Sequence, residues 1–362
     1  MPTLEEKIKE IEEEIKRTPY NKASQHHIGK LKAKLAKLRE ALEKGSEKGK
    51  ISHGFSVKKE GDATVVLVGL PSVGKSTLLN KLTNAESRVA SFDFTTIGVI
   101  PGIMHYNGAK IQILDIPGLI SGASKGRGMG KKILSVARIS DLILILVDAL
   151  QAEKQLSVIE KELYGAGIRI NKRKPDITIK RTSHGGITIS KIKNSNLSDE
   201  EIKGVLNENG IFNADVVIRE KVSIDDFIDV VIGNRVYLPA IVAVNKIDLL
   251  NDKTDEFSKK GFIPISSLQG KNLEKLKEEI FLKLEFIRVY MKPPGKKADM
   301  EHPLIMKKGS TVADICDRLH KEIKNKFRYA SIIGTSVKFK NEKVGLKHIL
   351  NDGDIVTIFT HL

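Results

Sequence analysis

The sequence predicts an α/β fold built on a parallel sheet, and three observations predict it. Four β-branched runs, "ATVVLVGL", "KIQILD", "DLILILVD" and "AIVAVNKID", are separated by segments long enough to cross back as helices. These runs are almost wholly apolar, as expected of strands covered on both faces. The first leads directly into a glycine-containing loop, "GLPSVGKST", and then into a helical run. Around the discontinuous core, residues 61–164 and 239–291, the sequence places a helical hairpin over 1–50, an inserted α+β unit over 165–238 and a β-grasp module over 292–362.

The hairpin rests on periodicity. Leu4, Ile8, Ile11 and Ile15 repeat at helical spacing, and Leu31, Leu35, Leu38 and Leu42 repeat it after a break at Thr18-Pro19. Lys30, Lys34, Lys37 and Lys44 lie off that seam, as a solvated face or as a rail for phosphates. Residues 44–61 are rich in Gly and Lys without a period, a linker signal. In the insertion, "DITIKRTSHGGITIS" predicts a hairpin turning at "SHGG", and "ADVVIRE" a further strand. Ser198 with Glu201, and Ser223 with Asp226, have the spacing of capping boxes for two helices. Beyond the helix expected over "KNLEKLKEEIFLKLEFIRVYM", Pro293-Pro294 ends the core. Strands are expected around "HPLIM", "SVKFK" and "DIVTIF", with a helix from Val312 to Lys326 that carries a buried Cys316.

Composition narrows the function. The chain has 61 Lys and Arg against 45 Asp and Glu, a net charge of +16, so it should be drawn to polyanions. A solubility or thermal-adaptation origin for the lysines is the plainer alternative. Aromatics make up 5% and tryptophan is absent, which argues for readers of phosphate backbone and shape over base-stacking readers of single strands. No apolar run reaches the roughly 18 to 20 residues of a membrane span, "MPTLEE" lacks a myristoylation glycine, and "TIFTHL" lacks a prenylation cysteine. A single cysteine and no signal-peptide pattern lead to the expectation of a cytoplasmic protein. His26-His27 and His184 have no partners at metal spacing and read as surface or packing residues.

The chemistry lies in ordered loops. Gly69, Gly74, Lys75 and Ser76 fit G-x-x-x-x-G-K-[ST] between a strand and a helix, so backbone N–H groups from Ser72 and Val73 to Thr77 can wrap phosphates. Lys75 can then reach the outer phosphates, and the Ser76 hydroxyl can meet Mg²⁺. "NKID" ends a strand: Asp248 can accept from guanine N1–H and its 2-amino group, which adenine cannot match, while Asn245 braces and Lys246 packs its stem on the purine. Ser266 and Ser267 stand where a loop would contact the guanine carbonyl. "DIPG" places Asp115 toward Mg²⁺ through water and the Gly118 N–H toward the third phosphate. "FDFTTIG" offers Thr96, or alternatively Thr95, as a ligand that closes when that phosphate is present. The loop "GASKGRGMG" has the wrong spacing for a dinucleotide fingerprint and reads as a phosphate sensor.

In this order the boxes resemble the translation-factor-related GTPases, and closely the developmentally regulated GTP-binding (Drg) family beside Obg. "LPSVGKSTLLNKLT", "FDFTTIGVIPG", "DIPGLISGASKGRGMGKK" and "NKRKPDITIKR" carry the resemblance over nearly the whole chain. It implies a P-loop GTPase core with a C-terminal β-grasp TGS module. It also implies conversion of GTP to GDP, association with ribosomes or rRNA, and a small regulatory protein on the TGS side; a monomer is expected. Leu119 stands where Ras-like enzymes place a water-orienting glutamine, so slow intrinsic turnover is expected. Some relatives hold K⁺ through a P-loop asparagine where this chain has Ser72, which leaves K⁺ open. The alternative is an RNA- or ribosome-binding scaffold with nucleotide as a structural ligand.

Overall fold

The computed structural model describes residues 3–19, 21, 24–45, 60–83, 100–115, 136–193, 195–250 and 254–361. The chain divides into two compact units: Val57–Ser121 with Ile139–Ile159 and Pro239–Leu362, and Met1–Ser56 with Gly122–Arg138 and Glu160–Leu238.

In the first unit, β1 (Ala63–Val68), β3 (Ala109–Asp115), β4 (Leu142–Asp148), β10 (Ala240–Asn245) and β11 (Ile263–Pro264) run parallel. With β2 (Ile100–Tyr106) antiparallel on one edge, the order is β11-β10-β4-β1-β3-β2. Every residue of β1 is buried, as an apolar run between two layers requires. Asn107 and Gly108, at φ of 47° and 82°, close β2 onto β3 in a two-residue turn of the mirror-image type that suits strand twist. The carboxyl ends of the parallel strands open on one edge, where open α/β sheets bind ligands.

The same unit holds a second sheet, β13-β12-β16-β14-β15, made of β12 (Phe286–Met291), β13 (Leu304–Lys307), β14 (Phe327–Ile333), β15 (Glu342–Val344) and β16 (Ile355–Thr360). Val312, Ile315 and Cys316 of the helix Val312–Leu319 bury against Val289, Ala330, Ile332 and Val356. Three expectations are corrected here. The long helix ends at Lys283, Glu285 turns the chain at φ 53°, and "FIRVYM" is β12. Its alternation explains the change: Phe286 joins the core of the six-stranded sheet while Ile287 and Val289 join that of the second sheet. The helix from Val312 breaks at His320, whose φ of −171° is extended, and resumes as Lys321–Asn325. "SVKFK" forms a turn before β15, held by the Glu342 carboxylate, which accepts from the Lys338 and Phe339 N–H groups at 2.9 and 3.3 Å.

In the other unit the hairpin helices are Leu4–Arg17 and Gln25–Gly45, the first opened by a reciprocal Thr3–Glu6 cap. The insertion contains β6 (Ile177–Arg181), β7 (Ile187–Lys191) and β8 (Ala214–Ile218), with helices Asp199–Glu208 and Ile224–Ile232. Both expected capping boxes form. The expected β6–β7 hairpin does not: β8 lies between them, antiparallel to β6 and parallel to β7. Of the three strands only β8 carries fully buried side chains, at Ala214, Val216 and Ile218, so it takes the centre. Ala33 of the hairpin is buried among Val205, Leu206 and Phe227 of the insertion. Lys37 donates to the Glu208 carbonyl at 2.9 Å, a cation at a helix C-terminus.

In the same unit β5 (Ile168–Ile170) pairs in parallel with β9 (Val236–Leu238). Arg169, 3% exposed, forks onto Asp229 at 2.5 and 2.7 Å, and Arg235 adds a bond to the same carboxylate at 2.8 Å. The Arg169 guanidinium also lies 3.6 Å from the centre of the Tyr164 ring. Asp229→Ala strands two guanidinium groups and is expected to cost about 3–5 kcal/mol in urea unfolding. Asp229→Asn, which keeps an acceptor, should lose less.

Candidate nucleotide and metal site

The first phosphate-binding element is dictated by backbone. A Cβ at Gly69 would lie 2.5 Å from the Leu146 carbonyl oxygen, so only glycine lets the chain leave β1 past β4. Ser72 and Gly74 take positive φ, 63° and 95°, and Val73 between them is buried. Lys75, Ser76 and Thr77 then form the first turn of the helix Lys75–Leu82. The Lys75 ammonium bridges the Gly69 and Leu70 carbonyls at 3.0 and 2.9 Å, which holds it over the loop.

Asp115 ends β3 beside this turn. It is 1% exposed; its Oδ2 accepts from the Ser76 hydroxyl at 3.3 Å, while its Oδ1 has no hydrogen-bond partner among the described residues. Burial lifts the Asp115 carboxyl above its ordinary range, partly countered by the Lys75 charge and the Ser76 bond. Burial lowers Lys75, with the Asp115 charge opposing it. A buried carboxylate oxygen without a donor is costly, and with a hydroxyl beside it forms half of an oxygen donor set for a hard divalent cation. Ser76 and Asp115 therefore fit a metal.

The loops that carry Asn245–Asp248 and Ser266–Ser267 meet the Gly69–Ser76 loop through one amide. Asn245, 3% exposed, donates from Nδ2 to the Val73 carbonyl at 2.8 Å, and its Oδ1 accepts from the Ser267 N–H and hydroxyl at 2.9 and 3.0 Å. Packing is close enough that a Cβ on Gly74 would sit 2.4 Å from that Nδ2. Lys246, at φ 64°, ion-pairs with Asp148 at 2.7 Å. Burial would raise Asp148, but the Lys246 bond and charge and the Leu150 N–H hold it below the ordinary carboxylate range. Asp248 accepts from the Ser266 hydroxyl at 2.5 Å.

Ser266 and Ser267 are almost fully buried, and their hydroxyls brace Asp248 and Asn245. Asp148 was not singled out by sequence reasoning; its signal was the aspartate closing the run "LILILVD". Thr95, Thr96, Gly118, Leu119 and "GASKGRGMG" lie outside the described residues. His27 bonds Glu14 at 3.0 Å and His184 bonds Ser183 at 2.9 Å; among the described residues no group of three His, Cys, Asp or Glu forms a metal cluster. Asn245→Ala removes the tie between the two loops and leaves the buried Val73 carbonyl without its donor. Nucleotide affinity is expected to fall by about 1–3 kcal/mol in a fluorescent-GDP titration.

A glycine-containing loop between strand and helix, a buried aspartate beside its serine and an Asn-Lys-x-Asp box on one edge of a parallel sheet define a P-loop GTP-binding protein. Family models match in three segments: the 50S ribosome-binding GTPase at residues 64–181, the C-terminal region of that domain at 184–286, and the TGS domain at 287–360. Over 98% of its length the chain is 53% identical to a GTP-binding protein of Methanocaldococcus jannaschii (92% of that protein), 45% to the developmentally regulated GTP-binding protein 1 homolog of Dictyostelium discoideum (99%) and 43% to human developmentally regulated GTP-binding protein 2 (98%). The chain belongs to the developmentally regulated GTP-binding protein (Drg) family, GTP-binding GTPases with a P-loop core and a C-terminal TGS domain.

Proposed function

We propose that this chain is a Mg²⁺-dependent GTPase switch of slow intrinsic turnover that works in the cytoplasm on the ribosome or its RNA. The observation that carries the chemical half is Asp115, whose buried Oδ1 has no partner among the described residues and which lies beside Ser76 and Lys75. Ser76 and Asp115 would hold the Mg²⁺, joined by Thr96 when the third phosphate is present. That ion supplies charge neutralisation at the phosphates. Lys75 and the Gly118 N–H orient the terminal phosphate, and Leu119 supplies no hydrogen bond to water, so an outside group completes the site. The ribosomal half is supported by the net charge of +16 and by the description of the family model over residues 64–181. No helix among the described residues is long and apolar enough to cross a membrane. The chain acts as a monomer, with a small regulatory protein engaging the TGS side.

The test is GTP turnover by the purified protein in K⁺ and in Na⁺ buffer, with and without ribosomes. Slow turnover alone and a large rise with ribosomes is the expected result; faster turnover in K⁺ than in Na⁺ would assign a monovalent ion near Ser72. Turnover unmoved by ribosomes, with co-sedimentation equal in GTP and GDP, would overturn the switch and leave a scaffold that holds nucleotide structurally.

A further inference from the structure

We propose that the turn between β14 and β15 is a single-stranded RNA contact, in which Phe339 stacks on an unpaired base while flanking lysines meet the phosphates. This rests on the reading that the chain works on RNA, and it names the part of the RNA and the residues that take it. Phe339 is 74% exposed, and no aromatic or cation–π contact involves it among the described residues. A large ring left in water is uninformative by itself, but this one is held out by a built turn. The Glu342 carboxylate accepts from the Lys338 and Phe339 N–H groups, the Glu342 N–H returns to the Phe339 carbonyl at 3.3 Å, and Asn341 turns the chain at φ 61°. A ring presented on a fixed turn loses little freedom on binding.

Its surroundings select the partner. Residues 326–347 carry six Lys or Arg and one acid, Glu342, and that carboxylate is committed to the turn. Lys338 and Lys340 flank Phe339 in sequence, and Lys343 lies opposite Ser331 on the adjoining ladder. On the same sheet Tyr329 stacks on Phe359 with centroids 4.6 Å apart. The Lys343 ammonium stands 4.9 Å, and the Arg328 guanidinium 5.8 Å, from the Tyr329 ring centre. Tyr329 is thus already engaged as a floor that gathers cations, while the Phe339 ring is not. An aromatic face without a ring contact among the described residues, on a turn that also carries Lys338 and Lys340, matches the way single strands are held, by stacking and backbone charge together. The low overall aromatic content, which speaks against such readers when averaged over the chain, does not bear on a site that needs one ring.

The experiment is fluorescence anisotropy of labelled mixed-sequence single-stranded RNA, and of the blunt duplex of the same sequence, on the full chain. It is run for wild type, Phe339→Ala, Phe339→Leu and Lys338→Ala/Lys340→Ala, with GDP affinity reporting that each variant is folded. Expected is a fall of about 5- to 150-fold in single-strand affinity for Phe339→Ala, little recovery in Phe339→Leu, and duplex affinity unchanged. The double lysine variant should flatten the dependence of log affinity on log salt by about 1.4. Wild-type RNA binding that Phe339→Ala leaves intact overturns this site while the RNA reading stands. Wild type binding neither RNA removes both. Full affinity in Phe339→Leu, or tighter binding to anionic phosphatidylserine vesicles than to RNA, assigns the ring to an apolar partner and overturns the proposal.

Discussion

Replacing Asp248 with asparagine is expected to move nucleotide preference from GTP to XTP. The carboxylate can accept from both guanine N1–H and the 2-amino group, and it is oriented by the Ser266 hydroxyl, itself fully buried. In Asp248→Asn the amide nitrogen faces the 2-amino group donor to donor, whereas xanthine presents a carbonyl there that the amide can satisfy. Sites built around hydrogen bonds reject an analogue that leaves them unmet by about 10⁴ or more, and a swing of that order between GTP and XTP is expected in competition against fluorescent nucleotides. A variant that still prefers GTP would mean that Asp248 does not read the base. Because Asn245 and Ser267 are untouched, the phosphate loop should keep its shape.

Asp115→Asn is expected to separate stability from activity. In the nucleotide-free protein, burial raises the Asp115 pKa, so its protonation favours the fold. That contribution is fully present below the ordinary carboxylate pKa and is lost as pH rises through the higher folded value. Asparagine resembles the protonated form at every pH, so the variant should equal or exceed wild type in urea unfolding near neutral pH and converge with it in acid. Mg²⁺-dependent GTP turnover should nevertheless drop about 10²- to 10³-fold, the several kcal/mol a metal supplies. In wild type, Mg²⁺ affinity should begin to fail on acidification at a higher pH than an ordinary aspartate would allow. Turnover near wild type in the variant would remove Asp115 from the metal site.

What could be read in the sequence was local. Gly69 to Ser76, Asp115 and Asn245 to Asp248 are recognisable because each group's chemistry sits within a few residues of a strand end, and the strands themselves are apolar runs. The two capping boxes formed for the same reason, since their partners are three residues apart. The misses are long-range. β8 separates β6 from β7 because its side chains bury most completely, a contest that no turn signal reports. "FIRVYM" continues a helical pattern on paper, and becomes a strand because two different cores take its two faces. Asp148 gains a role only through Lys246, which follows a strand distant in sequence.

The burial of Ala33 beneath Phe227 has a consequence for the order in which the protein can be made. The two N-terminal helices are made before the insertion, yet the Phe227 side chain that buries Ala33 is added long after them. At about 5–20 residues per second, Phe227 follows Ala33 by about 10–40 s. Over that interval the first hairpin helix, 14 residues long, lies near the length at which isolated helices are marginal in water. The earliest residues of this chain are therefore among the last to reach their final environment, and the translating machine itself is their neighbour while they wait.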